Sequence, residues 1–166
     1  MIMKTLCIIL ATAIIVGSTP SWAFDKELAA SYENLFRPVV GENVGKELHL
    51  IKPEAFVNDL KKGKKFVALD VRTPAESVVF TMVLPESIII PVNELFKEEN
   101  LARLPKDKQI VVVCKSGTRA SVAGTALRHI GFNNISILKG GFKALSVYLD
   151  PVTANTPAKT EKTNMK

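Results

Sequence analysis

Cysteine is nearly absent from this chain: two occur in 166 residues, Cys7 and Cys114. Cys7 lies in an apolar leader, so the remainder holds one thiol and no internal disulfide. Histidine is as scarce, with His49 on an expected strand and His129 at an expected helix end. Neither is placed to act as a general base. No internal repeat is visible, and nothing marks a second domain. Lys and Arg outnumber Asp and Glu by 22 to 16. Yet no basic stripe with interleaved aromatics is present, which argues against a nucleic-acid partner. The one dense group is Lys61, Lys62, Lys64 and Lys65 around Gly63. It reads as a solvated helix end followed by a glycine cap. The longest apolar run, residues 6–16, is shorter than the roughly 20 residues a membrane span needs.

That run instead fits a secretory leader. Lys4 supplies a positive start, residues 17–20 (Gly-Ser-Thr-Pro) break the run, and Ser21 and Ala23 are small at the positions a signal peptidase reads. Cleavage is expected after Ala23, making 1–23 a signal peptide and the product exported, periplasmic in a bacterium. An idle exposed thiol is a liability in an oxidising compartment, so the single remaining cysteine is expected to have a task. About 143 residues then remain, one domain of ordinary size.

The remainder alternates strand-like and helix-like segments. Segments rich in apolar residues at 66–69, 87–90, 109–113 and 134–138 read as strands, with a further short strand candidate at 47–51. Helices are expected at 25–36, 53–60, 120–130 and 141–148, with a helical stretch opening at 93–96 and continuing toward 104. Ala123, Ala126, Leu127 and Ile130 form a buried stripe on the helix at 120–130. Apolar strands alternating with helices imply a three-layer α/β/α fold around a central parallel five-stranded sheet. Residues 24–44 precede the pattern as a helical extension. Residues 150–166 are polar and without period, and are expected to be disordered.

Ligands in such folds bind beyond the carboxyl ends of the strands. Cys114 stands there, at the end of the 109–113 run and just before a helix. Unpaired N–H groups and the positive helix end favour the reactive thiolate form. Lys115, Ser116, Gly117, Thr118 and Arg119 follow. Gly117 lets the loop curl, turning successive N–H groups inward as an anion cradle. Lys115 and Arg119 add positive charge. Asp70 and Arg72 lie at the end of the 66–69 strand, near the same point. Asp70 is expected to pair with Arg119 and fix the loop from behind. Thr73, Pro74 and Glu76 form a helix capping box, which accounts for Glu76 on its own.

Three segments together carry a family resemblance. Cys114–Arg119 with Ala120 resembles the active-site loop of rhodanese-family sulfurtransferases. Asp70, Arg72 and Glu76 resemble that family's Asp-x-Arg-x-x-x-Glu motif, and Gly140-Gly141 its Gly-Gly motif before the last helix. The resemblance covers residues 45–149. It implies that Cys114 takes sulfane sulfur from a donor such as thiosulfate and holds it as a persulfide. A thiophilic acceptor, a thiol or a protein, then receives it, with no metal or organic cofactor. Lys115 would attract the donor anion, and Arg119 would anchor the loop. The six-residue loop also argues against the related phosphatases, which place five residues between Cys and Arg. Here four intervene, and Ala120 stands at the phosphatase arginine's place. The alternative is an exported persulfide carrier that hands sulfur only to a dedicated partner. One stretch departs from the family pattern: residues 77–87 lack its His and Gly. Phe80, Met82 and Leu84 make the rim apolar, implying altered acceptor choice or protein docking, or simply a repacked loop.

Overall fold

The computed structural model describes residues 23–157. The expected leader lies outside these residues, apart from Ala23. Five parallel strands form one sheet: β1 (Leu50–Ile51), β2 (Val67–Asp70), β3 (Glu86–Ile89), β4 (Ile110–Val113) and β5 (Ile135–Leu138). Their spatial order is β1-β5-β4-β2-β3. The central strand β4 is buried at every residue. Its side chains alternate between faces, as the pleat requires. Ile110 and Val112 enter one core with Leu69, Ala123, Leu127 and Ile137. Val111 and Val113 enter the other with Phe56, Leu138, Phe142 and Leu145. Helix α3 (Pro53–Lys61) covers that second face with α7 (Gly141–Tyr148), and α6 (Thr118–His129) covers the first. The sheet is therefore sandwiched between two helical layers.

The topology decides where a site can form. The connection from β2 runs outward to β3, while that from β4 runs the opposite way to β5. The carboxyl ends of β2 and β4 thus flank a switch point, where two diverging connections leave a crevice. Asp70 and Val113 are register partners there. Asp70 closes β2 and Cys114 follows β4 immediately.

Several local expectations change. Residues 44–47 form a short helix, α2 (Val44–Glu47), so β1 is reduced to two residues. Only Glu98–Leu101 of the 93–104 stretch is helical, as α5. Ile130 is 51% exposed, because it caps α6 rather than continuing its stripe. The buried face of α6 is made by Ala120, Ala123, Gly124 and Leu127. The tail expected to be disordered begins with α8 (Pro151–Asn155), where Asp150 accepts from the N–H groups of Val152 and Thr153. Lys61 holds this helix by donating to the carbonyls of Thr153, at 2.8 Å, and Thr156. The extension contains α1 (Lys26–Phe36), whose Tyr32 ring stacks on His129 at 4.1 Å between centroids. Helix α4 (Pro74–Val79) completes the set.

Gly124 shows how tightly α6 lies on the sheet. A Cβ there would sit 2.5 Å from Cγ1 and 2.8 Å from Cδ1 of Ile137. Gly124→Ala should therefore destabilise the domain, although alanine is the better helix former. Overpacking costs about 1–3 kcal/mol against a propensity gain of about 1 kcal/mol, leaving a net loss of order 1 kcal/mol. A lower urea midpoint with unchanged slope would show it.

Candidate active site

Cys114 is 1% exposed and free. Its Sγ accepts from the backbone N–H of Ala120 at 3.4 Å. The chain turns around it through Lys115, Ser116 and Gly117. Gly117 adopts φ 91°, a left-handed conformation that favours glycine, and α6 begins at the next residue. Among the described residues, no protein acceptor takes the N–H groups of residues 115–119. The loop's carbonyls are engaged instead. Cys114 O accepts from Phe142 N–H at 2.9 Å, and Lys115 O from Lys143 N–H at 2.9 Å. The start of α7 therefore grips the loop from its oxygen side. Gly140 (φ 74°) and Gly141 (φ 56°) make that approach possible. A Cβ on Gly141 would fall 2.1 Å from Cys114 O and 2.7 Å from Gly117 N.

Arg119 anchors the loop, but its partner is Glu76. The two side chains meet in a paired, two-bond contact at 2.8 and 2.7 Å. Glu76 also completes the capping box of α4, accepting from Thr73 N–H at 3.1 Å and Thr73 Oγ1 at 2.9 Å. One carboxylate has enough acceptor sites for both tasks. The expected Asp70–Arg119 pair does not form. Asp70 instead binds Arg72, with Arg72 Nη2 at 2.6 Å and Arg72 Nε at 3.0 Å. The Arg72 backbone N–H, Ser77 Oγ and Thr81 Oγ1 also donate to Asp70. Both charged residues are buried, at 3% and 5% exposure. Arg72 further donates to the Phe80 carbonyl and lies 4.2 Å from the Phe142 ring centre. Phe142, which sequence reasoning did not single out, thus joins this buried pair to the cysteine loop.

A protein-family model described as the rhodanese-like domain matches residues 53–147. The chain belongs to the rhodanese-like domain family. It is 32% identical over 101 residues to the probable adenylyltransferase/sulfurtransferase MoeZ of Mycobacterium tuberculosis. That match covers 61% of this chain but only 25% of MoeZ. A sulfurtransferase of Allochromatium vinosum is 27% identical over 104 residues, spanning 63% of this chain and 94% of its own length. The solved structure of a rhodanese-related protein from Thermoplasma volcanium superposes with TM-score 0.52 at 28% identity. It covers 62% of this chain and 95% of the other.

Beside the cysteine loop of this rhodanese-like domain lies an open cleft of about 700 Å³. Val79, Phe80 and Phe142 give it apolar walls, and Arg72, Lys115 and Lys143 give it positive charge. Met82 and Leu84, expected on the same rim, are packed instead against the core beneath α3 and α7. Lys115 is exposed, as a residue that attracts an anion must be.

The Arg119–Glu76 contact sets a pH dependence. Arg119, then the Thr73 N–H, hold the Glu76 carboxyl well below the usual carboxylate range. The same contact raises Arg119 above its ordinary value. A carboxyl depressed by folding adds stability above its unfolded pKa, and loses it as pH falls toward its folded pKa. Glu76→Gln keeps the capping box but removes the charge. Its Tm should lie below that of the parent by an amount that is constant above about pH 6 and narrows below about pH 4. The half-exposed setting keeps the effect modest.

Proposed function

We propose that this domain is a sulfurtransferase that moves sulfane sulfur from thiosulfate, or a similar donor, through a persulfide on Cys114. The observation that carries this reading is the loop: a free cysteine followed by five backbone N–H groups that, among the described residues, no protein acceptor takes. In the first step the Cys114 thiolate attacks the outer sulfur of thiosulfate. The sulfur–sulfur bond breaks and sulfite leaves with its electron pair. The product, Cys114–S–S⁻, places negative charge on the outer sulfur, where the amides of residues 115–119 meet it. Preorganised donors aimed at developing charge are the largest single source of rate in many sites. In the second step a thiophilic acceptor attacks that outer sulfur and Sγ leaves as thiolate. No metal or cofactor enters either step, and no external base is needed once the thiolate is formed.

Lys115 is proposed to draw the anion toward the loop, and Arg119 to hold the loop's shape through Glu76. Export to the periplasm is proposed from the leader pattern at residues 1–23, and sequencing the N-terminus of the secreted protein tests it. The chemical reading is tested by intact mass after thiosulfate exposure. Parent protein should gain one sulfur atom and lose it to cyanide, and Cys114→Ser should gain none. No gain on fully reduced protein would reject thiosulfate as donor.

A further inference from the structure

The mouth of the cleft carries an apolar surface that a small anion does not use. Val79 is 87% exposed and Phe80 52% exposed, and both line the cleft. Phe142, Lys143 and Ser146 line it as well. Large apolar side chains left outside the core along one opening mark a contact surface.

Charge at this opening has one uncompensated sign. Glu76 is taken by Arg119, and Asp70 by Arg72. Lys115 and Lys143 are exposed, and among the described residues neither forms an ion pair. An occupant must therefore be apolar against Val79, Phe80 and Phe142, and negative against the two lysines. A small thiol would not fill an open cleft of about 700 Å³, and a basic segment would be repelled.

We propose that the sulfur acceptor is a protein thiol, on a segment that places an apolar side chain beside its cysteine and acidic residues around it. The proposal rests on the reading of Cys114 as a sulfur carrier. The partner's thiolate attacks the outer sulfur of Cys114–S–S⁻, whose charge the loop amides hold. The sulfur–sulfur bond breaks, its electron pair returns to Sγ, and the partner leaves as a persulfide. One sulfur–sulfur bond forms as another breaks, so no oxidant or reductant is consumed.

The test uses the full chain, loaded with thiosulfate and checked by intact mass. Discharge is then timed against three short peptides with one cysteine each: leucine with glutamate, leucine with lysine, and serine with glutamate. The acidic apolar peptide should discharge the protein about tenfold faster than either other peptide at low salt, an advantage that shrinks as salt screens the lysines. Lys143→Glu opposes the remaining Lys115 with a carboxylate, so in that variant the two leucine peptides should discharge the protein at nearly equal rates. Equal rates for all three peptides on loaded protein would overturn the proposal and leave the carrier reading standing. Protein that never loads would overturn the carrier reading, and the proposal with it.

Discussion

Gly141→Ala should slow sulfur loading on Cys114 by about 100-fold, the scale of loss that a misplacement near 1 Å produces. The added Cβ would lie 2.1 Å from Cys114 O, 2.7 Å from Gly117 N and 2.9 Å from Ser116 N. All three are backbone atoms, so no side chain can rotate away. Either α7 lifts off the loop or the loop itself shifts. The first breaks the bonds from Phe142 and Lys143, and the second moves the cradle. Alanine at φ 56° adds strain of roughly 1–2 kcal/mol, and overpacking about 1–3 kcal/mol more. Gly140→Ala is the control. It has similar backbone strain, at φ 74°, but its Cβ meets the Ala144 side chain at 2.5 Å. It should lose stability comparably while keeping most of its loading rate. Urea unfolding and timed intact-mass loading separate the two effects. Equal loading losses in both variants would show that α7 stability, and not loop contact, controls the site.

Asp70→Ala should remove about 3–5 kcal/mol of stability, the cost of leaving a buried charge without its partner. Arg72 would keep only the Phe80 carbonyl and the face of Phe142. A domain is stable by about 5–15 kcal/mol in all, so the loss is large. Ser77 would still donate to Thr73 O, at 3.3 Å, so the hydroxyl is not orphaned. The charge argument has its own check in Asp70→Ala combined with Arg72→Met. Removing both charges should recover more than half of the loss, because a buried pair contributes little beyond cancelling its own desolvation. A double variant as unstable as Asp70→Ala alone would assign the loss to packing volume.

The sheet was legible because β2 and β4 are buried at every residue and are apolar almost throughout, and β5 is interrupted only by Ser136. The cysteine's position followed from the same runs. What the sequence obscured has physical causes. The 93–104 stretch lies between Pro91 and Pro105, and Asn100 Nδ2 donates to Glu94 O at 2.8 Å, a local bond that competes with helix. Gly124 carries no hydrophobic signal, yet a Cβ there would collide with Ile137 of β5. Ile130 matched the period but lies past the helix end. Glu76 was fully explained by Thr73 three residues before it, so nothing local pointed to Arg119 forty-three positions on. Asp70 and Arg72 are two residues apart and so face the same side, a local signal that the expected pairing of Asp70 with Arg119 passed over. Phe142 carries no local signal of its contact, and only the fold brings its ring beneath Arg72. The tail's start signal was present, in Asp150 before Pro151, but polar composition outweighed it.

The bonds from Phe142 and Lys143 to the loop carbonyls have a further consequence. They sort the polarity of the peptide units around Cys114, with oxygens turned into the protein and hydrogens into the opening. A thiophilic metal cation arriving at this sulfur would meet amide hydrogens and a lysine, with the oxygens of Cys114 and Lys115 already engaged. The opening therefore favours anions of sulfur over cations in the first, non-covalent encounter.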